Sequence, residues 1–372
     1  CNYNSDSVGG IVGGVSNLKG ELLISNCHNN GHITVNVDYG GRIGGIIGST
    51  YNSYIYPSNP ITISGCINTG NISCNKVEYL GGILGYGLAR PNITVSDCEN
   101  RGAITVSQFS AYVGGVIGFG MTIRDCHNYG DIQVSGEAMM VGGLGGIVAA
   151  MISNCHNEGS LSATGQIGGI GGIAAGLGNI AADTMQTTIN GSCLSSYNKG
   201  SITLTLNNSA TARVGGVIGN LSPGVVAYCY NQGNLNCQMS YGRIGGVVGS
   251  FSLGSGLSNC YNTGRIDGAN NVENLLFIGG IVGSGWATST ANNYWKDFAD
   301  DVAFTGAGLW GFNSQDPNTT YPLDTGSSIF SATHWPSASD GWNLGTGAGS
   351  GYWQSLGSWN NGDPAYPKLW FE

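Results

Sequence analysis

The amino-acid sequence predicts an all-β fold, namely a parallel β-helix (β-solenoid) of about nine coils with a Trp-rich C-terminal cap. Three observations lead to this prediction. A Cys-x-Asn-x-Gly-x-Ile/Leu motif recurs along most of the chain, Gly-Gly pairs lie between its copies, and seven of the eight Trp residues fall within residues 295–372. Repetition at roughly 30 residues is typical of supersecondary units that stack because none can bury its apolar face alone.

The motif has seven copies and one variant. Its cysteines are Cys27, Cys66, Cys98, Cys126, Cys155, Cys229 and Cys260, and Ser196 takes this position in the variant copy. Its asparagines are Asn29, Asn68, Asn100, Asn128, Asn157, Asn198, Asn231 and Asn262. The glycine pairs are Gly9-Gly10, Gly44-Gly45, Gly81-Gly82, Gly114-Gly115, Gly145-Gly146, Gly171-Gly172, Gly215-Gly216, Gly245-Gly246 and Gly279-Gly280.

Each repeat contains three short segments that favour strands, for example His32–Val37, Ile43–Gly48 and Ile61–Cys66, with Gly and Asn in the turns between them. No helical periodicity is sustained. Parallel coils about 4.8 Å apart would give a rod of about 40 Å. We therefore expect a repeat domain over residues 1–294 and a capping region over residues 295–372.

The motif has a mechanical interpretation in such a fold. Alternation along the strand places the Cys inward and the Asn at a turn. Stacked Asn side chains can pass hydrogen bonds along the axis, each amide donating to the carbonyl oxygen of its neighbour. The motif cysteines and asparagines are therefore predicted to form a structural ladder.

The chain contains 11 Cys, yet a disulfide framework is not expected. Stacked cysteines in parallel register would have Cβ atoms about 4.8 Å apart, whereas a disulfide prefers about 3.5 to 4.5 Å. Buried free thiols that act as small hydrophobes are predicted instead. A column with one Cys per coil does not surround a metal tetrahedrally, so no metal site is expected. Cys193, three positions before Ser196, departs from the pattern.

Composition excludes several kinds of partner. Charged residues make up 9% of the chain and the formal net charge is −9, which offers no counter-charge to nucleic acid or an anionic membrane. No run of about 18 apolar residues occurs, so membrane insertion is not expected. The sequence opens at Cys1 within a partial repeat, which favours cleavage from a longer precursor; a lipobox cysteine is the alternative.

These motifs resemble the GLUG-motif repeat family of large secreted and surface-anchored bacterial proteins, which includes adhesin-like and IgA-peptidase-like polypeptides. The resemblance covers residues 1–295 and extends to Asn293-Tyr294-Trp295 and the closing Tyr366-Pro367-Lys368-Leu369-Trp370. It implies a secreted or cell-surface location and adhesion, and it provides no catalytic residues. The segment from Ala174 to Ser192 departs from the family pattern, because it is longer than the matching connection in other repeats.

Two aspartates provide the best enzymatic hypothesis. Asp97 and Asp125 each precede a motif Cys in neighbouring coils, which would place their carboxylates near the about 5 Å separation of a retaining glycosidase. Asn26, Asn154 and Asn259 occupy the same column, so a turn role is the alternative, and we expect no catalysis. Calcium at Asp297, Asp300 and Asp301 is the one cofactor considered, although their spacing matches no EF-hand loop.

Aromatic residues supply the candidate ligand-binding positions. Tyr197, Tyr230 and Tyr261 follow the Ser or Cys of the motif and are expected to face outward, either as a platform for sugar rings or as stabilising cross-strand stacks. A plain exposed stack is expected for His127 and His156 in the same column. In the tail, most Trp residues are expected to form the cap core, while Trp353 and Trp359 are carbohydrate-binding candidates. Tyr51, Tyr54 and Tyr56 lie on the long connection Ser49–Pro60, which is expected to protrude from the same corner as the connections Ala174–Ser192 and Ser284–Asn293.

The sequence thus predicts a non-catalytic adhesive or structural repeat module of a bacterium, secreted or at the cell surface. The expected partner is a glycan, a host or bacterial surface protein, or a second copy of the chain. A self-assembling filament or stalk subunit is one alternative. A polysaccharide-degrading enzyme that uses Asp97 and Asp125 is the other.

Overall fold

The computed structural model describes residues 7–16, 20–36, 40–51, 60–88, 93–178, 189–207, 210–239, 241–268, 276–296, 327–329, 335–345, 351–360 and 364–372. Within these ranges the chain consists of short strands joined by turns, with one 3-10 turn at Ala338–Asp340 and no α-helix. The all-β prediction is confirmed.

The strands follow one another at short intervals along the whole chain. The first thirteen are β1 (Ser7–Gly9), β2 (Val12–Ser16), β3 (Leu22–Ser25), β4 (His28–Asn29), β5 (Ile33–Val35), β6 (Arg42–Gly44), β7 (Ile47–Tyr51), β8 (Ile61–Ser64), β9 (Ile67–Asn68), β10 (Ile72–Gly81), β11 (Leu84–Leu88), β12 (Ile93–Ser96) and β13 (Glu99–Asn100). The next thirteen are β14 (Ile104–Gly114), β15 (Ile117–Arg124), β16 (His127–Asn128), β17 (Ile132–Gly142), β18 (Gly145–Ser153), β19 (His156–Asn157), β20 (Leu161–Gly171), β21 (Ala174–Gly178), β22 (Gly191–Leu194), β23 (Tyr197–Asn198), β24 (Ile202–Leu206), β25 (Thr211–Gly215) and β26 (Ile218–Ser222). The last are β27 (Gly224–Ala227), β28 (Tyr230–Asn231), β29 (Leu235–Gln238), β30 (Tyr241–Gly245), β31 (Val248–Ser258), β32 (Tyr261–Asn262), β33 (Ile266–Gly268), β34 (Leu276–Gly279), β35 (Val282–Ala291), β36 (Asn293–Trp295), β37 (Ser327–Ile329), β38 (Trp353–Ser355) and β39 (Lys368–Leu369).

Most described strands lie in three large parallel sheets. The first sheet has 13 strands, with the path β1-β6-β10-β14-β17-β20-β24-β29-β33 and β5, β25, β30 and β34 beside it. The second sheet has 14 strands, with the path β2-β7-β11-β15-β18-β21-β26-β31-β27-β22 and β3, β8, β12 and β35 beside it. The third sheet has 10 strands in the order β37-β36-β32-β28-β23-β19-β16-β13-β9-β4. In the tail, β38 and β39 form a separate antiparallel pair.

Neighbouring strands in these sheets come from consecutive repeats and pair equivalent residues. Ile104 of β14 pairs with Ile72 on one side and Ile132 on the other. In the third sheet Asn100 pairs in the same way with Asn68 and Asn128. Residues at the same motif position therefore lie in columns, and the predicted parallel pairing in stacked sheets is confirmed.

The fifth glycine pair differs from the prediction. Gly142 of β17 pairs with Gly114 and with Gly171, so Gly142-Gly143 occupies the pair position and Gly145-Gly146 does not. The local sequence Val-Gly-Gly-Leu-Gly-Gly permits either register. The adopted register keeps Val141 fully buried among the equivalent apolar side chains of the neighbouring repeats.

The glycine pairs connect the first sheet to the second at a close approach between repeats. A Cβ atom added at Gly82 would collide with the carbonyl oxygen of Gly115 and with the side chain of Asn100. Only glycine permits this backbone contact. The pair is therefore required wherever one repeat lies directly on the next.

Apolar side chains fill the interior in two clusters. One combines second-sheet residues such as Val95 and Ile123 with the motif cysteines, and the other contains first-sheet residues such as Leu80 and Val113. A third cluster lies elsewhere, between third-sheet tyrosines and the tail residues Trp342, Trp353 and Leu369.

Candidate functional site

The motif asparagines form one buried column of hydrogen bonds. Nδ2 of Asn68 donates to Oδ1 of Asn100 at 2.9 Å, and Nδ2 of Asn100 donates to Oδ1 of Asn128 at 2.8 Å. The same bond joins each neighbouring pair from Asn29 to Asn262. Each amide also donates to the carbonyl oxygen of the motif Gly two residues later. The column thereby satisfies buried polar groups that would otherwise destabilise the stack.

The motif cysteines form a second column inside the molecule. All are buried except Cys27, which is half-buried, and the ten described cysteines are free thiols. Burial raises the pKa of Cys155 to about 12, so this thiol is protonated at neutral pH and has little nucleophilic character. Cys193 lies beside the column, with its Sγ 3.7 Å from that of Cys229.

The three candidate tyrosines of the third sheet are stacked and covered. The ring centroids of Tyr197 and Tyr230 lie 4.9 Å apart, and those of Tyr230 and Tyr261 lie 4.6 Å apart. Tyr230 and Tyr261 are fully buried and Tyr197 is 4% exposed. The prediction that they form a platform for sugar rings is wrong, because the ring faces contact each other and the tail covers the stack. The alternative prediction, stacking of the tyrosine rings between neighbouring strands, agrees with the structure.

The tail was expected to close the end of the stack. Its strand β37 does continue the third sheet beyond β36. The other described tail segments instead lie along the side of that sheet. The ring centroids of Phe371 and Tyr197 are 5.8 Å apart, and those of Tyr352 and Tyr228 are 3.9 Å apart. This lateral position explains the burial of the tyrosine stack.

The two tryptophan candidates have different environments. Trp353 is fully buried, with its ring centroid 4.5 Å from that of Trp342. Its predicted carbohydrate contact is therefore wrong, because neither ring face is accessible. Trp359 is half-buried and packs edge-on against Trp335 at 6.1 Å. Both belong to the cluster that attaches the tail to the third sheet.

Asp97 and Asp125 have positive φ angles of 54° and 50°. Asn26, Asn154 and Asn259 also have positive φ, and Asp and Asn tolerate this left-handed conformation better than most residues. Oδ1 of Asp125 accepts a hydrogen bond of 3.1 Å from Nδ2 of Asn154. The alternative prediction, a role in the turn, therefore explains why Asp or Asn occupies this position without invoking catalysis.

His127 and His156 stack with ring centroids 4.0 Å apart. His156 is only 8% exposed, so the exposed stack expected from the sequence is wrong for this residue. Burial lowers the pKa of His156 to about 3, and the charges of His127 and Lys199 act in the same direction. Its Nε2 lies 3.2 Å from the hydroxyl oxygen of Tyr129. Across the described ranges, no three His, Cys, Asp or Glu side chains converge as metal ligands.

A depression of about 420 Å³ lies on the outer face of the first sheet. Its lining includes Phe109 of β14, Glu137 of β17 and Gln166 of β20, which are in-register neighbours on three adjacent strands. Phe109 is 38% exposed and the adjoining Met139 is 51% exposed. An aromatic ring beside a carboxylate and an amide can contact both the C–H face and the hydroxyl groups of a sugar.

Sequence reasoning missed this depression, although the repeat spacing contains a signal for its lining. Phe109, Glu137 and Gln166 each lie 11 residues after a motif Cys, namely Cys98, Cys126 and Cys155. Strands aligned on the motif therefore pair these three residues in one column. The signal becomes visible only when positions beyond the motif itself are aligned between repeats.

Several predicted positions lie outside the described residues. Tyr54 and Tyr56 fall in the range 52–59, and only the backbone of Tyr51 is described. Asp297, Asp300 and Asp301 also lie outside. The prediction that the connection Ser284–Asn293 protrudes is wrong, because β35 continues as a strand to Ala291 and pairs with β31.

No protein-family model, curated protein or solved structure matches this chain. Among the described residues, no helix has the length and apolar character needed to cross a membrane.

Proposed function

We propose that this chain is a non-catalytic adhesive module of a secreted or cell-surface bacterial protein, and that it binds a glycan in the depression around Phe109. The observation that carries the proposal is the in-register placement of Phe109, Glu137 and Gln166. All three side chains are exposed. The resemblance to GLUG-motif repeats supports the location and the adhesive role.

The architecture in this proposal is a β-solenoid of about nine coils over residues 1–294 with a capping region over residues 295–372. Its support is the pairing of equivalent residues in three parallel sheets and the unbroken asparagine column. A rigid sheet holds the ring, carboxylate and amide at about 4.8 Å intervals before the ligand arrives. Such preorganisation lowers the entropy lost on binding.

The proposal includes no catalytic step and no cofactor. The left-handed turn conformation of Asp97 and Asp125 supports this part, since it explains why short polar residues occupy the column. A polysaccharide-degrading enzyme that uses these carboxylates is one alternative. A filament or stalk subunit that binds a second copy of the chain is the other.

The test incubates the full chain with an array of neutral and acidic glycans and records retained glycan and released products together. We expect retention without products, and about tenfold weaker retention for Phe109→Ala, because one stacking contact is lost. Leu253→Ala is the matched control, since Leu253 is 75% exposed on a different strand.

The other outcomes discriminate among the hypotheses. Retention that Phe109→Ala and Glu137→Gln leave unchanged overturns the site. Released products that disappear in the Asp97→Asn, Asp125→Asn double variant establish the enzyme instead. Self-association that persists at nanomolar concentration, with no glycan retained, establishes the filament subunit.

A further inference from the structure

Beside the glycine pairs, where the first sheet connects to the second, side chains of the two sheets meet across a corner, here called the corner groove. Each repeat contributes two residues to its lining. One lies on the first sheet, two positions before the first glycine of the pair, and the other lies on the second sheet, five positions after that glycine. In one repeat these are Tyr79 and Tyr86, whose ring centroids lie 4.4 Å apart. Backbone pairing extends both positions into columns, so the groove runs along the stack.

The character of the groove changes along its length. Its first-sheet column contains, in order, Ser7, Arg42, Tyr79, Tyr112, Met140, Gly169, Arg213, Arg243 and Phe277. In the aromatic part the rings pack on one another, with the ring centroids of Tyr86 and Phe119 5.5 Å apart, and the guanidinium of Arg42 lies over the Tyr86 ring at 4.7 Å. That part is therefore occupied by its own side chains.

The part of the groove at Arg213 and Arg243 is different, because the described residues provide no counter-charge there. Arg213 of β25 and Arg243 of β30 are in-register neighbours, which places their backbones about 4.8 Å apart. Neither forms an ion pair with any described residue. Nε of Arg243 is buried and has no hydrogen-bond partner among the described atoms. Like charges directly opposite on adjacent strands destabilise a sheet, so the pair has a cost that an anion would relieve.

The opposite wall adds neutral polar groups and no negative charge. Asn220 and Ser250 are the equivalents of Tyr86 there and are themselves in-register neighbours. The described residues include no Asp or Glu in either groove column. The side chain of Arg243 is half-buried, and this burial and the nearby charge of Arg213 lower its pKa.

We propose that Arg213 and Arg243 bind an oxyanion, the carboxylate or sulfate group of an acidic glycan. Guanidinium groups bind such oxyanions through paired N–H donors, and the side chains of Asn220 and Ser250 supply further hydrogen bonds from the facing wall. The assignment of the anion to a glycan rests on the proposed function. The cationic site itself does not depend on the depression around Phe109.

The test measures binding of polygalacturonate, heparin, neutral dextran and inorganic sulfate to the full chain at one fixed ionic strength. The Arg213→Gln, Arg243→Gln double variant is compared with Arg124→Gln, whose side chain is exposed outside the groove. We expect wild type and Arg124→Gln to bind at least one acidic polymer, and the double variant to bind it at least about tenfold more weakly. Equal weakening in both variants would show a nonspecific charge effect and overturn the site.

Two further outcomes also decide against the proposal. Binding of inorganic sulfate without either acidic polymer overturns the glycan assignment, and the absence of binding to all three anionic probes overturns the oxyanion site. Thermal unfolding gives a second readout: the bound anion should raise the unfolding temperature of wild type and Arg124→Gln, with no increase in the double variant. Phe109→Ala should retain anion binding, so failure of the glycan depression and failure of the arginine site are distinguishable.

Discussion

The hydroxyl group of Tyr261 donates a hydrogen bond of 2.6 Å to the carbonyl oxygen of Pro367, across 106 residues of sequence. Both residues are buried. The bond joins the last of the three stacked tyrosines to the final residues of the tail. It therefore links the folding of the tail to that of the third sheet.

Replacing Tyr261 with Phe should lower the free energy of unfolding by about 1 to 2 kcal/mol, because the buried carbonyl of Pro367 loses its donor. Denaturant unfolding measures the change. Tyr112→Phe is the control, since Tyr112 is a half-buried tyrosine of the first sheet that stacks on Tyr79, outside the cluster that contains the tail. Equal effects of the two substitutions would contradict a role for this bond.

Replacing Asn128 with Ala should lower the free energy of unfolding by more than Tyr261→Phe does. It leaves the amide of Asn100 without its acceptor and the side-chain oxygen of Asn157 without its donor. Two buried polar groups without partners should lower the free energy of unfolding by about 3 kcal/mol. The same substitution at exposed Asn343 should change it by less than about 0.5 kcal/mol, and a similar loss at both sites would refute the argument.

Gly82→Ala should destabilise the protein by about 3 kcal/mol, because the new methyl group meets backbone that cannot move freely. Gly20→Ala provides the contrast, since a Cβ atom there would have no heavy atom within 4 Å. Thermal unfolding of both variants is the measurement. If Gly82→Ala were tolerated as well as Gly20→Ala, the close approach of repeats would not limit stability.

His156 should make the protein sensitive to mild acid. Its pKa is lowered to about 3 in the folded state, whereas an unfolded histidine has a pKa of about 6.5. The unfolded state therefore binds more protons below pH 6.5, and stability falls as the pH falls from that value. We expect a loss of about 1 to 2 kcal/mol between pH 7 and pH 5.

The variant His156→Tyr tests this acid sensitivity. It introduces the residue type that occupies the equivalent position in the next three repeats, at Tyr197, Tyr230 and Tyr261. It should keep the stack and reduce the loss between pH 7 and pH 5, as measured by urea unfolding at each pH. His28→Tyr serves as the control because His28 is exposed. An unchanged pH dependence in His156→Tyr would assign the acid sensitivity to other groups.

The repeated motif predicted the all-β character and the parallel pairing in stacked sheets, because one residue type at one position in every repeat imposes one register. Gly142 shows the limit of this logic. Two overlapping glycine pairs satisfy the pattern equally, and only the packing of Val141 selects between them.

The candidate sites were less predictable because they depend on contacts distant in sequence. Alternation correctly places Tyr230 on the outer side of its strand, but nothing local indicates that the tail covers it. Phe109, Glu137 and Gln166 each lie 11 residues after a motif Cys, so their column follows from the repeat spacing, but the depression around them does not. Arg213 and Arg243 occupy the same position in two repeats, and that signal becomes visible only when the outward columns are aligned.

The asparagine column has a consequence for how the gene can change. Every asparagine from Asn68 to Asn231 presents the same donor to the following repeat and the same acceptor to the preceding one. Unequal recombination that adds or removes one whole repeat would therefore join a donor to an acceptor at the new junction. The number of repeats can vary between descendants of this sequence without any compensating substitution in the column.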